Sequence, residues 1–238
     1  MASCSQEVAG ERKPWRHALH PAVIASRSAT PLRRASRSQG SENCGPEPAF
    51  VTCIHLSPSS ERAQVEAFLD AAYARAFGGT LRSHYPVLMG MRDEHGMVVA
   101  AAGLRSARSS PLFLEQYIDE PIELALSRIC DLQVARQQIV EIGNLAAARP
   151  SAALQLFDAL ASHLADGGAT HVAVTATRAL RRTLRRLGFC WCHLASADPA
   201  RIAAADDWGR YYEADPQVIA GPIHHGLAQL QANPRLAQ

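Results

Sequence analysis

From Ala49 onward, apolar and polar positions fall into short periodic segments that predict an α/β order. Phe50-Val51-Thr52-Cys53-Ile54-His55-Leu56 reads as a strand. Ser57-Pro58 offers an N-cap with proline at the first helical position. Val65, Phe68, Leu69, Ala72 and Ala76 then recur at helical spacing until Gly78-Gly79. Residues 86–92 and 97–105 are strand-like runs joined by the turn Asp93-Glu94-His95-Gly96. Leu112–Tyr117 is apolar and aromatic, and Pro121 opens a helix carrying Ile122, Ala125, Leu126 and Ile129. Gln138–Ala146 is a strand rich in Ile and Val. Ser151 is placed to cap a helix striped by Ala153, Leu156, Phe157, Leu160 and Leu164. A buried strand at 170–177, a short helix from Arg178 to Leu187 and a strand near 190–195 complete the order. This alternation predicts one α/β (α+β) domain with a mixed, mostly antiparallel sheet flanked by helices.

Residues 1–48 break the pattern. They scatter Ser, Arg, Pro and Gly among few large apolar side chains and are expected to be a disordered tail, with a second tail at 226–238. Charge follows the same division. Of 24 Lys and Arg and 22 Asp and Glu, the first 48 residues hold seven basic and four acidic groups, so the remainder is nearly neutral. A nearly neutral domain argues against general nucleic-acid binding. The longest apolar run, Met97 to Leu104, is too short to cross a membrane, and no secretory h-region is present. A cytoplasmic protein is expected. Six cysteines form no CxxC pair; Cys190-Trp191-Cys192 sets two thiols on one strand face, which is not a zinc site. His224-His225 lack further ligands at metal spacing, so no metal is expected.

The Arg178–Leu187 helix is the sharpest physical signal. Arg178, Arg181, Arg182, Arg185 and Arg186 share one face, opposite Leu180, Leu184 and Leu187, with no acid among them. The face is either a solvated arginine surface or a dock for an anionic partner: an acidic carrier protein, a phosphate or an anionic lipid surface.

Three segments carry a resemblance: Ala100–Arg105 with Leu112-Phe113-Leu114-Glu115-Gln116-Tyr117-Ile118-Asp119-Glu120-Pro121-Ile122-Glu123; Ile139-Val140-Glu141-Ile142-Gly143-Asn144-Leu145-Ala146; and Thr175–Phe189 with Trp208-Gly209-Arg210-Tyr211-Tyr212. Together they resemble the bacterial thermostable hemolysin family over about residues 50–225. The predicted topology resembles the GNAT acyltransferase fold and, more distantly, acyl-homoserine-lactone synthases. That resemblance implies an acyl group moved from a thioester to an amine acceptor, a small molecule. The co-substrate would be acyl-coenzyme A or the phosphopantetheine of an acyl-carrier protein, with no permanently bound cofactor. The family name implies instead a membrane-active cytolysin, and a catalytically inactive binding module is a third reading.

Under the acyltransferase reading, Glu141 is the candidate base, because a mid-strand carboxylate needs a purpose or a partner; an ion pair with arginine is the structural alternative. Strict alternation would put Glu141, Gly143 and Leu145 on one face and Asn144 on the other. Asn144 would bind the acyl carbonyl or cap the strand end. Arg105 would orient substrate, or pair with Glu115 or Glu141. Glu115 and Gln116 are substrate-binding candidates through the resemblance. Tyr211 and Tyr212 are candidate acids for the thiolate, or aromatic packing. The helix start at Ser151, Ala152 and Ala153 would meet a pyrophosphate. No glycine occurs between Gly143 and Gly167, however, so the glycine turn usual before such helices is missing, which favours a carrier-protein donor.

Overall fold

A computed structural model describes residues 50–55 and 57–233. The expected N-terminal tail, Cys4, Cys44 and Leu56 lie outside the described residues. Seven strands form one sheet in the order β1-β2-β3-β4-β5-β7-β6. β1 (Val51–His55), β2 (Val87–Arg92), β3 (Val98–Ser106) and β4 (Ile139–Ala147) pair antiparallel, each with the next. β4 and β5 (His171–Ala176) are parallel, and β7 (Gln217–Pro222) returns antiparallel between β5 and β6 (Cys192–Ser196).

Each face of the sheet is covered. On one side lie α1 (Ser60–Phe77), a 3-10 helix (Phe113–Tyr117) and α2 (Ile122–Cys130), burying Val65, Leu69, Leu114, Ile122 and Leu126. On the other lie α3 (Pro150–Asp166), α4 (Arg178–Arg186) and α5 (Ile223–Gln231), burying Leu156, Leu160, Leu164, Leu180 and Ile223.

Several sequence expectations shift. Ser59, not Ser57, caps α1, accepting from the Arg62 N–H at 3.1 Å. Ser151 lies inside the first turn of α3 and caps nothing: Arg149 is the N-cap and Pro150 takes the first helical position, where its missing N–H is harmless. Leu112–Tyr117 curls into the 3-10 helix. Cys190 precedes β6, so Cys190 and Cys192 do not share a strand face. The expected tail at 226–238 includes most of α5, which packs on α3 with Leu230 buried.

The parallel pair positions the site. β4 and β5 hold register only from Ile139↔His171 to Ile142↔Val174, while β4 runs on to Ala147. On its other edge, β4 inserts one extra residue against β3 between Gly143 and Ala146. Asn144 sits in that bulge with φ 47°, a left-handed conformation a non-glycine residue rarely adopts. The bulge bends β4 away from β5, and the two parallel strands part.

Candidate functional site

The parted strands floor a cleft on the α1 side of the sheet. Its walls include Tyr73 and Phe77 of α1, Tyr85, Phe113, Tyr117, Trp208 and Tyr211; Gly143, Asn144, Thr175 and Thr177 supply its floor. Alternation along β4 fails at the bulge, so Gly143 and Asn144 both line this cleft. Asn144 is 5% exposed, and its Nδ2 has no hydrogen-bond partner among the described residues. Thr175 Oγ1, also in the cleft lining, is likewise buried and unpartnered. Buried polar atoms without protein partners carry an energetic penalty, so these two are able to hydrogen-bond water or a polar ligand in the cleft.

Tyr85 is the residue that sequence reasoning missed. Its ring lies over Gly103 and Gly143, which face one another across β3 and β4. A Cβ on Gly103 would come within 2.6 Å of the Tyr85 ring, and one on Gly143 would collide with the phenol. Two glycines paired across adjacent strands signal a large side chain laid over them from elsewhere. Arg62 of α1 fixes the loop that brings it. Its Nη2 donates to the Tyr85 carbonyl at 2.8 Å, its Nη1 to the carbonyls of Pro86 and His55, and its Nε to Glu66 at 2.8 Å.

Glu141 lies behind Tyr85 and does not line the cleft. It is 1% exposed, and the Tyr85 hydroxyl donates to its Oε1 at 2.9 Å. The N–H groups of Phe113 and Leu114 donate to Oε2 at 2.7 Å and Oε1 at 3.0 Å. Burial raises its pKa above the ordinary carboxylate value, against the lowering pull of those donors. Burial and the Glu141 carboxylate both push Tyr85 well up, so the phenol stays protonated. Arg105, cross-strand partner of Glu141, stacks on the Tyr85 ring at 5.2 Å.

The remaining candidates divide. Tyr211 lines the cleft, but burial holds its phenol far above the ordinary value and its hydroxyl donates to the Thr175 carbonyl at 3.1 Å. A phenol so raised is a poor acid for a thiolate, whose conjugate acid lies at about 8.5. Tyr212 is outside the lining, with its hydroxyl 2.8 Å from that of Tyr117. Glu115 is held by Arg136 at 2.7 and 2.8 Å and accepts from the N–H groups of Leu112 and Ile122, which together lower its pKa to about 2. It anchors the 3-10 helix and leaves no oxygen turned to substrate. Gln116 is exposed and donates to the Phe113 carbonyl. Ala152 is buried in the first turn of α3, beside Ser151 and Ala153.

The arginine face of α4 is partly answered from a distance. Arg181 and Arg178 pair with Asp215 at 2.7 and 3.3 Å, an acid the helix sequence does not contain. Arg182, Arg185 and Arg186 are exposed with no carboxylate partner among the described residues, Arg185 lying over the Trp191 ring at 5.7 Å.

Comparison with known proteins places these observations. The family model described as thermostable hemolysin matches residues 56–227. No curated protein matches the chain. Among solved structures, the chain is similar to TofI in an apo form, with TM-score 0.54 at 18% identity over 78% of this chain and 99% of that one. It is also similar to the AHL synthase LasI, with TM-score 0.53 at 11% identity over 78% and 96%. A third is FeeM, an N-acyl amino acid synthase from uncultured soil microbes, with TM-score 0.50 at 14% identity over 77% and 95%. These likenesses establish a GNAT-like fold. No helix among the described residues is long and apolar enough to cross a membrane.

Proposed function

This chain belongs to the thermostable hemolysin family, and from that premise and its cleft we propose an N-acyltransferase that moves an acyl group from a thioester to an amine. One observation carries the reading. The gap between β4 and β5 holds a strained, unpaired Asn144 amide and an unpaired Thr175 hydroxyl beside a tyrosine wired to a buried carboxylate. The names of LasI and FeeM both describe synthases, FeeM of N-acyl amino acids, and give the reading its chemical direction.

In this reaction Asn144 Nδ2 donates to the thioester carbonyl oxygen as negative charge develops there. The amine nitrogen attacks the carbonyl carbon. Its proton passes to the Tyr85 oxygen while Tyr85 hands its own proton to Glu141 Oε1. The carbon–sulfur bond breaks, and the thiolate leaves without a protein acid, taking a proton from water. Tyr211 walls the cleft. Arg105, beside Tyr85, supplies positive charge for an acceptor that bears a carboxylate. The donor's phosphates would meet the first turn of α3 at Ser151, Ala152 and Ala153. Arg182, Arg185 and Arg186 would receive an acidic carrier protein, and the missing glycine turn favours that donor over coenzyme A.

Native mass spectrometry of the full chain with acyl-carrier protein or acyl-coenzyme A tests the reading. A retained pantetheine-bearing mass supports it. Release of dye from anionic liposomes with no such mass retained would favour a membrane-active protein instead.

A further inference from the structure

Away from the cleft, the loop between α4 and β6 brings a thiol against an imidazole. α4 ends at Gly188, whose φ of 80° suits glycine, and the chain folds back with the Phe189 N–H on the Leu184 carbonyl at 3.0 Å. Cys190 follows, exposed, with its Sγ 3.7 Å from Nε2 of His225 in the first turn of α5. Nδ1 of that ring is buried and has no hydrogen-bond partner among the described residues. A proton on Nδ1 would be a buried donor without an acceptor, so the ring proton belongs on Nε2, where it meets the sulfur. An N–H aimed at sulfur, at the positive end of a helix, holds a thiolate better than a thiol. Cys53, Cys130 and Cys192 are less exposed than Cys190.

A second, independent observation concerns charge. Arg182, Arg185 and Arg186 have no carboxylate partner among the described residues, and the Arg185 guanidinium lies over the ring of Trp191, the residue after Cys190, at 5.7 Å. The thiol therefore stands beside cations that an anion from outside can answer. We propose that the Cys190–His225 pair is a site of thiol–disulfide exchange with small anionic disulfides of the glutathione class. The Cys190 thiolate attacks one sulfur of the disulfide. A bond forms from Cys190 Sγ to that sulfur as the old sulfur–sulfur bond breaks, and the departing thiolate takes up the proton that Cys190 released to water. One disulfide is consumed and one is made, so no further oxidant enters. His225 keeps its proton and steadies the attacking sulfur, while the arginines draw in the carboxylates of the disulfide. The site lies apart from the cleft and uses none of its residues, so it stands whether or not the cleft transfers acyl groups.

The test treats the full reduced chain with oxidised glutathione at neutral pH and maps the adducts by peptide mass spectrometry over time. The Cys190 peptide is expected to gain glutathione about tenfold faster than any other cysteine peptide, and Cys190→Ser to abolish the fast phase. His225→Ala is expected to slow the Cys190 adduct about fivefold or more. The exposed pair Arg185→Ala and Arg186→Ala covers the case in which His225→Ala does not fold. Those two changes together are expected to lower the rate with oxidised glutathione, relative to the rate with the cationic disulfide cystamine, by about fivefold. Adducts spread evenly over the cysteines, or a fast phase that survives Cys190→Ser, overturn the proposal. So does a Cys190 rate that neither His225→Ala nor the arginine changes alter.

Discussion

A carboxylate with 1% of its surface exposed is avoided in folding unless other groups hold it, and Glu141 has three donors. Two of them tie the 3-10 helix to β4, and the third aims Tyr85 into the cleft. Glycine matters here through close approach. Gly143→Ala is expected to fold but to push the Tyr85 hydroxyl off Glu141, lowering acyl transfer by roughly 10- to 100-fold; turnover together with a melting curve checks this. Asn144 supports the opposite kind of variant. Asn144→Gly keeps a residue at ease with φ 47° while deleting the amide, so the melting temperature is expected to hold or rise as turnover falls by about 10² to 10³. A large loss of stability instead would mark Asn144 as structural.

At the scale of elements, periodicity located most of the helices and strands, because each buries one face against the sheet. The hairpin β2–β3 and the limits of β4 and α4 fall within a residue or two of their expected positions. β7 and α5 escaped notice: Gln217–Pro222 is short, ends in Ala-Gly-Pro, and gains its meaning only between β5 and β6. The site was half legible. Asn144 and Tyr211 line the cleft and Glu141 lies behind Tyr85, but alternation along the strand had set Asn144 on the face opposite Glu141 and Gly143. Tyr85 and Thr175 were not legible, since their places depend on a bulge and on a loop clamped by Arg62 across 23 residues. Glu115 was marked by its family segment, yet that segment owes its character to architecture. Glu115→Gln is expected to weaken the anchor of the 3-10 helix by about 1–3 kcal/mol, visible as a melting-temperature drop of roughly 2–10 °C. Because its folded pKa is lowered from 4.5 to about 2, the stabilisation from Glu115 is complete above pH 4.5 and is lost as pH falls toward 2. Stability of wild type and variant should therefore converge across that window.

For the whole molecule, helices cover both faces of the sheet, and the polar cleft opens where the β4–β5 ladder ends. Its pH behaviour follows from the buried carboxylate. Glu141 must be ionised to take the proton relayed by Tyr85, and burial raises its pKa, so activity is expected to fall with acid at a pH above the ordinary carboxylate value of 4.5. Glu141→Gln should flatten that acid limb along with the rate. The most direct test mixes the full chain with acyl-coenzyme A or acyl-carrier protein and a set of amines that includes amino acids, following the mass of the amide formed. The account predicts an amide from wild type that falls at least 10²-fold with Asn144→Gly and with Glu141→Gln. Equal product from wild type and both variants, or no amide from any pair, would contradict it.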